Sequence, residues 1–267
     1  MSEVKFGFIG TGNMGGALAK AVRKTIPGHE MILADTVSAK SQSLAAELNC
    51  KAVDTKTVAA QAKFIFLGVK PQVMKEMLES ISDVLAQRTD RFVLVTMAAG
   101  IKIEKYRQML GADYPIIRIM PNTPVSIGEG VVLYSVNQNV YMDEITDFCN
   151  CMRNVGLLDK LDEEMIDAAC AVSGCGPAYV YMFAEALADG AVECGLPRAK
   201  ALEYAVQTLV GAARLINETG RHPGVLKDEV CSPGGTTIAG VHTLESAGFR
   251  GAVMSAVKAA FDKTKGI

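Results

Sequence analysis

The N-terminal segment contains the feature that most constrains the fold, a glycine-rich turn placed between a strand and a helix. Residues 4–9 form an apolar run typical of a short buried strand, and Gly10-Thr11-Gly12-Asn13-Met14-Gly15 follows it directly. Apolar residues then recur at helical spacing as far as Val22. A strand, a tight turn and a helix in this order begin a doubly wound α/β sheet.

The glycine spacing also indicates a ligand. In a G-x-G-x-x-G turn the first glycine makes the bend, the second lets a pyrophosphate approach the backbone, and the third lets helix and strand pack closely. The sequence therefore predicts a dinucleotide held by Gly10, Thr11, Gly12, Asn13, Met14 and Gly15.

An acidic residue stands where the ribose of such a ligand is bound. The apolar run 31–34 ends in Asp35, which lies 20 positions after Gly15. A carboxylate there repels the 2′-phosphate of NADP and favours NAD, whereas Thr36, Ser38 and Lys40 would hold that phosphate if Asp35 points away. A cap for the following helix is a third role for Asp35. The sequence leaves NAD(H) and NADP(H) both open.

Strand-like and helical patterns alternate through about residue 157. This alternation predicts a mostly parallel doubly wound (Rossmann-type) sheet as a dinucleotide-binding domain over residues 1–157. The predicted strands are 4–9, 31–34, 64–69, 91–96, 116–120 and 131–134, with helices near 13–26, 38–48, 72–86, 101–110 and 141–153.

Beyond residue 160 the patterns are helical, which predicts an all-α C-terminal domain over residues 158–267. The predicted helices are 162–172, 177–194, 198–218, 236–247 and 249–265. Several are rich in Ala and Gly and apolar on most of their surface, so they need burial. We therefore expect an obligate homodimer formed through this domain, alone or within an assembly of such dimers.

The loops that follow the strands should face the dinucleotide, because ligands of doubly wound sheets lie at the carboxyl ends of the strands. Small residues Ala98 and Ala99 would let a nicotinamide ring lie against backbone. Lys70 either counters the pyrophosphate or is solvated, and Asn122 is either a ligand or a turn residue between two prolines. The cofactor-binding residues predicted in these loops are Val69, Lys70, Pro71, Ala98, Ala99 and Asn122.

A second candidate site lies at residues 232–237, where a Pro-Gly-Gly turn leads into a helical pattern. The start of a helix has about four unpaired N–H groups and a partial positive charge, which favour a carboxylate or phosphate. Gly234 and Gly235 permit close approach, and Ser232, Thr236 and Thr237 supply hydroxyl groups. The alternative is an ordinary helix cap.

Composition narrows the class of protein. The 267 residues carry a net charge of −2 without a basic stripe, which argues against nucleic acid or an anionic membrane as a partner. The absence of an 18-residue apolar run or a signal-peptide pattern predicts a cytoplasmic protein. The 7 cysteines lack the spacing of a zinc site, so we expect buried thiols and no metal.

Five segments together resemble the pyrroline-5-carboxylate reductase family over the whole chain. The most specific is residues 228–245, and the others are 10–15, 68–71, 120–124 and 173–179. Cys175 departs from the Ser that is common in the family, which puts one hydroxyl contact in doubt. The resemblance implies reduction of the cyclic imine 1-pyrroline-5-carboxylate to L-proline by NAD(P)H, the last step of proline biosynthesis.

The resemblance also implies roles for individual residues. Ser232, with the backbone around Gly234, Gly235 and Thr236, would hold the substrate carboxylate. The hydroxyl of Thr237 would bond the ring nitrogen as the catalytic contact, Glu163 would line the substrate pocket, and the partner subunit would complete the site.

Two other functions fit the same architecture. One is a β-hydroxyacid dehydrogenase of the 6-phosphogluconate type, which requires a lysine base at the start of a helix. Lys200 lies inside the predicted helix 198–218, and Lys227 precedes the loop without that family's surrounding motif. The other is a non-catalytic NAD(P)-binding regulator, which would need no anion site at residues 232–237.

Overall fold

The computed structural model describes residues 5–264 and separates into two compact units. The first contains the described chain up to Gly174 together with residues 261–264, and the second is Cys175–Ala260. The division therefore follows Gly174, 17 residues beyond the predicted end of the first domain at 157. The functional division into 1–157 and 158–267 stays a prediction.

The first unit is built on an eight-stranded sheet, which confirms the predicted fold class. Its order is β3-β2-β1-β4-β5-β6-β7-β8, and neighbouring strands run parallel except β6 and β7. The strands are β1 (Phe6–Ile9), β2 (Met31–Ala34), β3 (Lys51–Ala52), β4 (Phe64–Leu67), β5 (Val93–Thr96), β6 (Ile116–Pro121), β7 (Gly130–Val136) and β8 (Gly156–Lys160).

Helices cover this sheet. They are α1 (Asn13–Arg23), α2 (Ser38–Leu48), α3 (Thr55–Gln61), α4 (Pro71–Ala86), α5 (Ile103–Leu110), α6 (Met142–Cys151) and α7 (Glu163–Ser173). The sequence patterns did not predict β3, β8 or α3. The first has 2 residues, β8 is a largely exposed edge strand, and α3 has only 7 residues. Residue 4 of the predicted first strand and residue 265 of the predicted last helix lie outside the described residues.

The central strands are continuous apolar runs because both faces of the sheet are covered. Every residue of β1, β2, β4 and β5 is buried. One face packs Phe8 and Phe66 against Leu18 of α1, and the two rings stack with centroids 4.5 Å apart. The other face packs Ile65 against Met74 of α4. This rigid core holds the carboxyl ends of the strands in place.

The second unit contains α8 (Gly176–Glu193), α9 (Arg198–Thr219), α10 (Pro223–Val230), α11 (Thr236–Ser246) and α12 (Phe249–Thr264), whose last turn belongs to the first unit. The eight-residue α10 was not predicted. The buried core of this unit is small: Ala188, Ala201 and Ala205 form a cluster, and Ala184 is also buried. None of the residues described in α10, α11 and α12 is buried. Within residues 5–264, no helix has both the length and the apolar character of a membrane span.

Candidate active site

The glycine-rich turn has the geometry that its sequence predicts. Gly10 bends the chain with a φ of 91°, and its backbone N donates to the carbonyl of Ala34 at 2.8 Å. A Cβ on Gly15 would lie 2.0 Å from the carbonyl oxygen of Gly10, and one on Gly68 would lie 2.6 Å from it. A Cβ on Gly12 would meet nothing within 4 Å. Gly10, Gly15 and Gly68 therefore pack against each other, while Gly12 faces open space, as the predicted approach of a pyrophosphate to this turn requires.

Asp35 follows β2 and is tied to this turn. Its Oδ2 accepts hydrogen bonds from the backbone N of Thr11 at 2.7 Å and from the Thr11 hydroxyl at 3.0 Å. Its Oδ1 accepts from the backbone N of Val37 at 2.9 Å. Burial raises the pKa of Asp35, but these hydrogen bonds and the charge of Lys40 outweigh burial, and the pKa is lowered overall. Asp35 is thus a carboxylate fixed beside the turn.

A cleft of about 440 Å³ opens where β1, β2 and β4 end. It brings together residues predicted from three separate loops, Gly10 and Gly12, Asp35, and Val69 and Lys70. The cleft is also lined by Thr36, Thr55 and Val73. Of these three, only Thr36 was identified from the sequence. Lys70 occupies the N-cap position of α4 without a capping hydrogen bond from its side chain, and Pro71 begins that helix. An adjacent cleft of about 560 Å³ includes Thr11, Gly12 and Asn13 together with Lys20 and Lys40.

The predicted nicotinamide loop follows β5. Ala98 is buried, and Ala99 packs against a small cluster formed by Met120, Leu133 and Ile166. Gly100 completes the turn with a φ of 75°. The side chains at 98 and 99 therefore face the protein interior, which leaves the backbone of this loop as the surface available to a flat ring.

The side chain of Asn122 is occupied by the protein itself. Its Nδ2 donates to the carbonyl of Ser173 at 2.9 Å, and its Oδ1 accepts from the backbone N of Val131 at 2.8 Å. These contacts join the end of β6 to β7 and to the last residue of α7. The role of Asn122 in binding the dinucleotide stays a prediction.

Glu163 begins α7 and belongs to an ionic cluster in the first unit. Its Oε1 accepts from the backbone N of Ile103 at 2.8 Å and from Arg118 Nη1 at 3.2 Å. Arg118 is only 1% exposed and also donates to Asp167 at 2.9 Å. This cluster was not predicted from the sequence, although an arginine inside the apolar run Ile-Ile-Arg-Ile-Met was its signal. The placement of Glu163 in the substrate pocket stays a prediction.

The predicted anion site in the second unit lies at the start of α11. Gly234 has a φ of 66°, and the backbone N of Gly235 donates to the Ser232 carbonyl at 3.0 Å, which closes the turn. Gly235 precedes the helix, and no side chain caps it. Ser232 and Thr236 are exposed and Thr237 is half-buried. No Ser or Thr side chain caps this helix start, so the first-turn N–H groups have no side-chain partner there. The role of these residues in binding an anion stays a prediction.

The second unit exposes more apolar surface than a separate subunit normally keeps in water. Met254 is 72% exposed, Met182 69% and Tyr181 62%. Further large apolar side chains at least 39% exposed in the unit include Val180, Leu187, Leu202, Tyr204, Leu215, Ile216, Leu244, Phe249 and Val253. This surface fits the predicted dimer interface.

Comparisons with known proteins agree with these features. A family model described as pyrroline-5-carboxylate reductase dimerisation matches residues 163–267, and one described as NADP oxidoreductase, coenzyme F420-dependent, matches residues 5–100. The chain is 40% identical to pyrroline-5-carboxylate reductase of Escherichia coli K12, with 98% of each chain covered. It is 39% identical to that of Arabidopsis thaliana, over 98% of this chain and 94% of the relative.

Solved structures give the same result. The Plasmodium falciparum pyrroline carboxylate reductase with NADP bound has a TM-score of 0.89 at 31% identity, covering 100% of this chain and 98% of that one. The Streptococcus pyogenes 1-pyrroline-5-carboxylate reductase has a TM-score of 0.88 at 32% identity, with 98% of each chain covered.

Proposed function

This chain belongs to the pyrroline-5-carboxylate reductase family, and we propose that it reduces 1-pyrroline-5-carboxylate to L-proline with NAD(P)H. The observation that carries this proposal is the uncapped start of α11, which offers backbone N–H groups and hydroxyls to a small carboxylate. A dinucleotide fits the other unit, because Gly12 leaves its cradle open and Gly10, Gly15 and Gly68 fix its shape.

We assign the substrate carboxylate to Ser232 and to the backbone of Gly235 and Thr236. Gly234 sets the turn, and its φ of 66° is a conformation that other residues rarely adopt. Anions are stabilised at a helix start by unpaired N–H groups and the helix dipole. The carboxylate therefore orients the ring, with its nitrogen toward the hydroxyl of Thr237.

The reaction requires little acid–base chemistry from the protein. A protonated imine is already electrophilic, and NAD(P)H, when bound, would supply the hydride. Thr237 holds the ring nitrogen through its hydroxyl, and the start of α11 fixes the carboxylate. Alignment of the reacting atoms about 3 to 3.5 Å apart then provides much of the acceleration, on the order of several kcal/mol.

The rival β-hydroxyacid dehydrogenase requires a lysine base, and the candidate lysines are engaged elsewhere. Lys200 pairs with Glu203 at 2.8 Å, and Lys227 pairs with Asp228 at 2.9 Å. The non-catalytic regulator gives no reason for an uncapped anion site at α11. Neither rival is supported by a feature that the reductase does not explain.

We further propose a cytoplasmic homodimer, joined through the second unit and able to assemble into larger sets of dimers. The exposed apolar side chains of α8, α9 and α12 support the dimer, as does the dimerisation model that matches residues 163–267. In this proposal the partner subunit completes the substrate site. Glu163 would reach the substrate through its Oε2, since its Oε1 is already bonded.

The assay that tests the function follows oxidation of NADH and NADPH separately on addition of pyrroline-5-carboxylate. We expect L-proline as the product. A 2-hydroxy or 3-hydroxy acid substrate series under the same conditions should give no turnover. If no proline forms with either NADH or NADPH, the proposed reaction is refuted.

A further inference from the structure

We infer that the contact between Thr11 and Asp35 makes this chain select NADH over NADPH. The inference rests on the proposed function for its biological role, but it concerns coenzyme binding alone. Two observations carry it, the fixed position of the Asp35 carboxylate and the charges that line the cleft beside it.

Asp35 cannot turn away without breaking three hydrogen bonds. Two come from Thr11, through its backbone N and its hydroxyl, and the third comes from the backbone N of Val37. Selection for NADP by Thr36, Ser38 and Lys40 would need this carboxylate to move aside. The backbone N–H of the glycine-rich turn gives the Asp35 carboxylate one hydrogen bond, and the Thr11 hydroxyl adds a second.

The cleft beside Asp35 has an unfavourable charge for an additional phosphate. Among residues 5–264, its charged lining residues are Asp35, Glu76 and Lys70, which sum to one negative charge, and none of its lining residues is an arginine. An arginine is the group that accommodates the 2′-phosphate in NADP-binding folds. The 2′-phosphate carries about −1.5 to −2 charges at neutral pH, as phosphomonoesters do. The fixed Asp35 carboxylate would repel this phosphate, whereas the 2′-hydroxyl of NADH can donate a hydrogen bond to the same carboxylate.

Lys40 carries a positive charge that would offset part of the repulsion between Asp35 and a 2′-phosphate. It contributes to lowering the pKa of Asp35, so its charge acts on the same region. However, it lines the adjacent cleft with Thr11 and Lys20 and is absent from the lining of the Asp35 cleft. We therefore assign Lys40 a minor role in the choice of coenzyme.

Calorimetric titration of the full chain with NADH and with NADPH, without imine substrate, tests this inference. The dissociation constant for NADPH should exceed that for NADH by on the order of tenfold or more. The substitution Asp35→Ser should bring the two constants within about threefold, mainly by tightening NADPH. Asp35→Asn, which keeps the size of the side chain, provides the same test if the serine variant does not fold.

The control is Asp54→Asn. Asp54 also accepts hydrogen bonds from a backbone N and a hydroxyl, both of Thr57, but it does not line the cleft. It should leave the ratio of the two constants unchanged. Lys40→Ala should weaken NADPH by less than threefold, because the phosphate is not its partner.

Equal or tighter binding of NADPH by the wild type would overturn the inference. A ratio unaffected by both Asp35 substitutions, or a loss of NADPH binding on Lys40→Ala, would do the same. Because no imine is present, these outcomes are separate from the proposed function. Selective NADH binding without proline formation would instead refute the reaction and leave the coenzyme selectivity intact.

Discussion

The carbonyl oxygen of Gly10 lies only 2.0 Å from the position that a Cβ on Gly15 would occupy. The first and third glycines of the turn therefore touch, and the second, Gly12, faces open space. This difference separates the structural glycines of the turn from the one that admits a ligand.

Alanine at these two positions should have opposite effects. Gly15→Ala should destabilise the first unit by about 1 to 3 kcal/mol, because the overpacked backbone must shift. Gly12→Ala should leave the unfolding free energy nearly unchanged and weaken NAD(P)H binding, since its methyl group occupies the open space. Urea unfolding and coenzyme titration measure the two effects. Equal destabilisation by both substitutions would contradict this division of roles.

Thr237 carries the proposed mechanism. Thr237→Val preserves the shape of the side chain but leaves the ring nitrogen without its partner, a loss of about 1 to 3 kcal/mol or roughly tenfold to a hundredfold in kcat/KM. Thr237→Ser should retain most activity. Coenzyme affinity should be normal in both, because the dinucleotide cradle is in the first unit. Wild-type kinetics in Thr237→Val would mean that the backbone N–H groups alone act on the substrate.

Glu163 offers a test between two roles. If it serves the ionic cluster, Glu163→Gln should lower the unfolding free energy by about 1 to 3 kcal/mol, because Arg118 is buried and loses half of its charge compensation. If that is its only role, the KM for the imine should change little. A rise in that KM by more than about tenfold, together with the loss of stability, would support the proposed contact of Glu163 with the substrate through its Oε2.

The exposed apolar surface of the second unit predicts that the protein has no stable monomer. Light scattering at micromolar protein should give a dimer or a multiple of it. Met254→Glu places a charge on one of the most exposed apolar positions and should promote dissociation and loss of activity. Met142→Glu is a matched control, since Met142 is 74% exposed in the first unit and should tolerate the charge. An active monomer would exclude a site completed by the partner.

The lowered pKa of Asp35 has a consequence for stability. A carboxylate whose pKa is lower in the folded state than its ordinary value of about 3.9 stabilises the fold above that value. This contribution is lost as the pH falls through the folded pKa. The difference in unfolding free energy between wild type and Asp35→Asn should therefore be constant from pH 8 to about 5 and shrink below about 4. Urea unfolding at fixed protein concentration measures this difference. A difference that grows in acid would mean that the folded pKa of Asp35 is raised, which contradicts the prediction.

Local features of the chain were predictable to different degrees. The apolar runs of β1, β2, β4 and β5 were identified because these strands are buried on both faces. β8 was missed, because an edge strand of mixed polarity has no such run. The start of α7 was recognised, but not its membership of the first unit, because that depends on Ile166 packing against Met120 and Leu133.

The sequence by itself determined the strand, turn and helix at the N-terminus, the doubly wound class, the helical C-terminal half and the turn at residues 232–237. These depend on short-range spacing, on glycine conformations and on hydrophobic period, which are all local properties. Only the tertiary structure decided that Asp35 is bonded to Thr11, 24 residues away, and that Glu163 is bonded to Arg118, 45 residues away. Hydrogen bonds between distant residues depend on how the strands align, and that alignment is set by packing of the whole sheet.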